Sequence, residues 1–226
     1  MLHYLEQGAG APLVLLHGNG ESLDYFAHQI AYFSHDYRVI AVDTRGHGHS
    51  PRGTAPFTLT QFARDLEELL DALKLKRINL LGFSDGGNIA LRFTLDHPQR
   101  VERLILNGAN LDPRGVKAVV QLPIVLGYQA ARCFSKHSIG ARRKAELLGL
   151  MVREPHVAPM ELTRLQMPVL VIAGQRDMIK ETHTRLIAEH LPNGSLAILP
   201  GDHFLANKNP VAFNAVVERF LQAGVW

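Results

Sequence analysis

A single cysteine, Cys133, stands among 226 residues, so no intrachain disulfide can form and the fold must be held by packing. That fits a reducing compartment. Long hydrophobic runs are also missing: the most apolar stretch, residues 116–134, is broken by Lys117, Gln121, Pro123, Gln129 and Arg132. A membrane-spanning helix needs ~20 mostly apolar residues, so no membrane partner is expected. The start, Met1-Leu2-His3-Tyr4-Leu5-Glu6, has neither the basic cluster nor the apolar core of a secretory signal, and a cytoplasmic location follows as the expectation. One-sided charge is absent too. The formal net charge is only +3, and Lys and Arg are scattered without interleaved aromatics, which argues against a nucleic-acid partner. Repeats and low-complexity tracts do not occur. Histidine is plentiful, at twelve, but H-E-x-x-H is absent and no cysteine pair exists. Neither His47-Gly48-His49 nor His17 has metal-ligand spacing, so no metal or other cofactor is expected.

What the chain does have is a 46% hydrophobic composition in a length suited to one core with an insertion. Short apolar runs at 13–16, 38–42, 77–81, 103–106, 169–172 and 196–199 alternate with helical patterns. Runs this apolar, without strict alternation, suit strands buried on both faces. The expected class is therefore α/β, a doubly wound, mostly parallel sheet. Residues 59–73 carry an i, i+3, i+4 stripe through Leu59, Phe62, Leu66, Leu69 and Leu73, the pattern of a sheet-packing helix. Helices also fit 22–33, 85–96, 181–190 and 210–221. The rhythm breaks at 110–167, which reads as a helical cap, with helices at 116–134 and 138–152 and a connector at 155–159, inserted in a core of 1–109 and 168–226.

The motif Gly82-Phe83-Ser84-Asp85-Gly86-Gly87 lies directly between an apolar run and a helical pattern. A sharp strand-to-helix turn crowds its neighbours, and glycines two before and two after Ser84 let a serine be held there in a strained backbone. A helix start also leaves N–H groups unpaired, that of Asp85 first, where an oxyanion can use them. A serine hydroxyl needs a base, and the base needs an acid to orient it. Asp177 follows the run at 169–172 and His203 the run at 196–199. Active-site groups of open α/β sheets gather beyond such strand ends. Ser84, Asp177 and His203 are the expected catalytic residues.

Serine, acid, histidine is the chain order of α/β-hydrolases, and the sequence resembles that family from about Tyr4 to Phe220. The resemblance also rests on His17-Gly18-Asn19-Gly20 and on Asp43-Thr44-Arg45-Gly46-His47-Gly48-His49-Ser50. It implies a second oxyanion donor at the Asn19 N–H, partnering Asp85. The elbow is similar to that of the biphenyl-hydrolase-like branch. Many members open with an antiparallel strand pair, whereas only a dozen residues precede Leu13 here, so the first strand is expected to be missing.

Other residues compete for roles. Asp43 and Asp112 rival Asp177 as the acid, although Asp43 suits a loop organiser. Some relatives carry the acid where this chain has Asn107-Gly108-Ala109-Asn110, and no carboxylate stands there. His17 reads as a backbone-bonding residue of the oxyanion loop. Residues 110–155 hold eight basic residues, Arg114, Lys117, Arg132, Lys136, Arg142, Arg143, Lys144 and Arg153, against three acids. They fit solvated helix faces, or one or two could meet a substrate carboxylate. The expected activity is hydrolysis of a small ester, lactone or related acyl compound. Hydrolysis of carbon-carbon bonds or elimination on a carboxylate-bearing substrate is the alternative, and a ligand sensor with a silent triad is the non-enzymatic one. The short cap leaves room for closure by a second subunit in a homo-oligomer.

Overall fold

A computed structural model describes residues 1–223; residues 224–226, the end of the expected core stretch, lie outside the described residues. The elements run β1 (Tyr4–Gln7), β2 (Ala11–Leu16), α1 (Ala27–Phe33), β3 (Tyr37–Val42), α2 (Leu59–Ala72), β4 (Ile78–Phe83), α3 (Asp85–Asp96) and β5 (Val101–Asn107). They continue with α4 (Ala118–Phe134), α5 (Ile139–Arg153), β6 (Val169–Arg176), α6 (Glu181–Glu189), β7 (Gly194–Asp202), α7 (Leu205–Lys208) and α8 (Pro210–Ala223). The seven strands form one sheet in the order β1-β3-β2-β4-β5-β6-β7, parallel except for β1.

The apolar runs divide their side chains between two cores because successive residues of a strand point to opposite faces. Val14, Leu16, Ile40, Leu80 and Leu106 pack under α2, α3 and α6, while Leu13, Leu15, Ala41, Leu81 and Ile105 pack under α1 and α8. The runs of β2 to β6 are thus dry on both sides, which explains their unbroken hydrophobicity. Helix α2 starts where Thr58 accepts the Gln61 N–H on its hydroxyl, and turns Phe62, Leu66, Leu69 and Leu70 inward.

Three local features differ from the sequence expectations. Strand β1 was not foreseen: it is four residues long and largely exposed, so it carries no apolar run, and its register against β3 from Tyr4 with Val42 to Gln7 with Val39 defines it. The sheet therefore opens with one antiparallel strand in place of a pair. The expected helix at 22–33 begins as a 3-10 turn, Leu23–Phe26, capped by Ser22, before α1. Helix α4 starts at Ala118 because the preceding residues are held extended, Val116 bridging Ile179 and the Lys117 N–H donating to the Met178 carbonyl. Among the described residues no helix is long and apolar enough to cross a membrane.

Helices α4 and α5 lie between β5 and β6 in the chain. Arg52 pairs with Glu146 of α5 at 2.6 Å, and the Asn19 side-chain amide donates to the Leu147 carbonyl at 2.7 Å. These contacts set α5 against the loops that follow β2 and β3.

Candidate active site

Ser84 sits between the end of β4 and the start of α3 with φ 54° and ψ −122°, a conformation few side-chain-bearing residues adopt. Its N–H donates to the Asn107 carbonyl of the next strand at 2.8 Å, which fixes the turn to the sheet. The Gly82 and Gly86 positions are where the backbones come closest: a Cβ on Gly82 would meet the Gly86 carbonyl, and one on Gly86 would meet the Leu16 and His17 carbonyls. That second approach brings the start of α3 alongside the loop after β2.

The structure places Asp177 and His203 beyond the carboxyl ends of β6 and β7 and brings both to Ser84. His203 Nε2 lies 3.0 Å from the Ser84 hydroxyl, and His203 Nδ1 lies 2.7 Å from an Asp177 carboxylate oxygen. A carboxylate only accepts, so the ring carries its proton on Nδ1 and presents the Nε2 lone pair to the hydroxyl. The same Asp177 oxygen accepts the Ile179 N–H at 2.9 Å. Both side chains are buried, and the imidazole is flanked by the rings of Phe83 and Phe204. Ser84 alone of the three is partly open.

Asn19 follows β2 and Asp85 opens α3, whose first-turn N–H groups have no acceptor one turn back within the helix. The Asp85 carboxylate is buried; one oxygen accepts the Asn88 amide at 3.2 Å and the other has no partner. It therefore bonds within the first turn of α3.

The competing acids are occupied elsewhere. Asp43 accepts the Leu23 and His49 N–H groups and pairs with His3. Asp112 pairs with Arg114 and His156, and the Arg114 guanidinium holds its carboxyl down at about 2. His17 donates from Nδ1 to the Gly18 carbonyl at 2.7 Å and accepts the Thr44 N–H on Nε2 at 3.0 Å, a loop brace. Of the eight basic residues at 110–155, seven are exposed and Lys117 is half-buried, donating to the Asp177 backbone carbonyl at 2.5 Å.

Two residues near the triad escaped the sequence reading. Gly108, passed over because it is no carboxylate, has φ 63°, and a Cβ there would press on the His203 ring at 2.7 Å. Its place directly after a strand end was the available signal. Glu21 reaches back to accept the Gly18 N–H at 3.2 Å and fixes the turn that carries Asn19; burial raises its carboxyl.

Burial acts in opposite directions on two groups of this region. It pushes the Asp85 carboxyl up to about 6, against the Asn88 hydrogen bond and with help from Glu154. It pushes the His17 imidazole down to about 4, against its bond to Gly18. As pH rises from about 4 to 6, unfolded chains lose the Asp85 proton first, so this group removes stability with rising pH. His17 does the reverse: between about 6.5 and 4 only the unfolded chain takes up its proton, so stability falls as pH falls. Asp85→Asn removes the first effect. We expect its stability at pH 7 relative to pH 4 to exceed that of the parent by about 2 kcal/mol, with the acid-side decline left by His17 exposed. Urea unfolding at the two pH values checks this; equal pH dependence in both proteins would refute it.

Comparison with known proteins agrees with this architecture. Residues 11–134 match the family model described as the alpha/beta hydrolase fold. The chain belongs to that family and is a hydrolase. The human serine hydrolase BPHL is 29% identical, over 98% of this chain and 83% of its own. The 3-oxoadipate enol-lactonase 2 of Acinetobacter baylyi is also 29% identical, over 98% of this chain and 93% of its own. A crystal structure of a hydrolase from Pseudomonas aeruginosa aligns with a TM-score of 0.81 at 29% identity, covering 98% of this chain and 94% of that one.

Proposed function

We propose that the protein is a serine hydrolase that cleaves a small ester or lactone through an acyl-enzyme on Ser84. One observation carries the reading: the unbroken hydrogen-bond chain from the Ser84 hydroxyl through His203 to Asp177 on a strained strand-to-helix turn. Ser84 Oγ attacks the carbonyl carbon while His203 Nε2 takes its proton. Asp177 holds the ring in the Nδ1–H tautomer and stabilises the imidazolium. The tetrahedral oxygen receives the N–H groups of Asn19 and Asp85, each such donor contributing about 3 kcal/mol to the transition state. His203 returns the proton to the departing alkoxide, then activates the water that releases the acid. Residues 110–167 act as a cap over this edge of the sheet, joined to the oxyanion loop by the Asn19 to Leu147 bond. The similarity to an enol-lactonase supports lactones within the substrate class.

Two measurements test the proposal together. Hydrolysis of p-nitrophenyl esters from acetate to dodecanoate should show turnover with a preference for short acyl chains. A fluorophosphonate should add once per chain, with the adduct mapped by mass spectrometry to Ser84. Absence of turnover with every ester and lactone tried, or an adduct on another residue, would refute it.

A further inference from the structure

We propose that His3, Asp43 and His49 form a binding site for a divalent transition-metal ion of the zinc class, separate from the triad. The three residues offer one carboxylate oxygen and two imidazole nitrogens that lie within 4.8 Å of one another. Their sequence positions conceal this, since His3 precedes β1 and the other two belong to the loop after β3. The antiparallel register of β1 brings them together.

The site is built and braced. The Asp43 N–H donates to the His3 carbonyl at 3.0 Å, the His3 N–H donates to the Ser50 hydroxyl at 2.7 Å, and that hydroxyl donates to the Asp43 carbonyl at 2.6 Å. His3 is thereby fixed to the loop on both sides of its backbone. The Asp43 side chain is wholly buried, and one oxygen is engaged by the Leu23 N–H. The other oxygen accepts the His49 N–H at 2.9 Å and faces His3 Nδ1 at 2.8 Å and His49 Nδ1 at 3.7 Å. Gly48, at φ 49°, permits this turn, because a Cβ there would collide with the Asp43 carboxylate. Burial raises the Asp43 carboxyl, but the two N–H groups and the His3 ring outweigh it and hold the group below its ordinary value, so the ligand is anionic.

Ligands around tetrahedral zinc, at about 2.0–2.2 Å from the ion, lie roughly 3.3–3.5 Å apart. The two separations from the Asp43 oxygen bracket that range, and the three ligand atoms, within 4.8 Å of one another, must draw together around the ion. Small rotations of the imidazoles close the set, and both rings have room: the side chains of His3 and His49 are 44% and 81% exposed. Their open side leaves the remaining coordination to water. On binding, the proton that His3 Nδ1 now shares with Asp43 moves to Nε2. Two imidazoles with one carboxylate favour Zn²⁺, Ni²⁺ or Cu²⁺ over Mg²⁺ or Ca²⁺, which prefer oxygen ligands throughout. The ion would clamp the start of the edge strand to the loop after β3. His17 and His47 take no part; their rings are turned to Thr44.

Isothermal titration of the chelator-treated protein, without any added histidine tag, tests the site with ZnCl₂. One ion should bind per chain with micromolar affinity or better, and the melting temperature should rise by roughly 5–10 °C at about a hundredfold excess over Kd. His3→Ala and His49→Ala should each weaken binding by at least about tenfold and cut that rise to about half or less, whereas His137→Ala in the exposed turn after α4 should change neither. MgCl₂ should produce no shift. Because the His49 ring is almost wholly in solvent, His49→Ala should melt at the parent temperature without metal. Failure of Zn²⁺ to bind in the micromolar range, or binding that His49→Ala leaves intact, would overturn the proposal.

Discussion

Ser84→Ala should lower kcat on the best p-nitrophenyl ester roughly a million-fold, and His203→Ala by about as much. The Ser84/His203 double variant should lose no more than either single one, because the nucleophile is weak without its base and the base has no proton to take without its nucleophile. Asp177→Asn should lose less, about ten-thousand-fold. Its amide can donate a hydrogen bond, and at 2.7 Å from His203 Nδ1 it would favour the ring with the proton on Nε2, pointing at the Ser84 hydroxyl in place of a lone pair. The ring would remain in place but in the wrong tautomer. Activity should not fall to the uncatalysed rate in any of them if the Asn19 and Asp85 N–H groups are the oxyanion donors proposed above. Burst-phase and steady-state kinetics, with circular dichroism to verify folding, measure all four. If Ser84→Ala kept a tenth of the parent kcat, Ser84 would not be the nucleophile, and multiplicative losses in the double variant would mean that Ser84 and His203 do not act as a unit.

The parts of this arrangement that the sequence discloses are those set by short-range rules. Ser84 could be placed on a turn because Gly82, Gly86 and the change from an apolar run to a helical stripe occur within a few residues. Asp177 and His203 could be placed because each follows a short apolar run, and parallel strands present the same end to the site. The strands of the central sheet were readable for the same reason. What stays hidden depends on register or on which way an exposed helix turns. Strand β1 has one half-buried and three exposed residues, so no hydrophobic period marks it, and it exists only through its pairing with β3. The meeting of His3 with Asp43 inherits that concealment. The bond from Asn19 to Leu147 depends on the seating of α5, which periodicity cannot orient. Likewise, eight basic residues at 110–155 give no sign in sequence that Lys117 alone reaches Asp177.

Gly86→Ala should destabilise the fold by at least about 4 kcal/mol, beyond the usual span for a single substitution. In ordinary glycine replacements the added methyl either finds space or displaces a side chain that can rotate away. Neither escape exists here. The new Cβ would press on the backbone carbonyls of Leu16 and His17, at the end of a strand hydrogen-bonded on both sides, to β3 and to β4. Relief requires α3 to lift from the sheet. That motion would draw the Asp85 N–H away from the loop carrying Asn19 and open the packing of Ile89 and Ala90. Gly20→Ala provides the contrast. A Cβ at Gly20 meets nothing within 4 Å, but its φ of +78° is unfavourable for alanine, so a loss of about 1–2 kcal/mol is expected from backbone conformation alone. Equilibrium urea unfolding of the two variants separates steric from conformational demand at two glycines of neighbouring loops. Comparable losses in both would show that the close approach of α3 to β2 is not what requires glycine at position 86. A far larger loss at Gly86 would show that the seating of α3 against the end of β2 is set by backbone contact, before any substrate arrives.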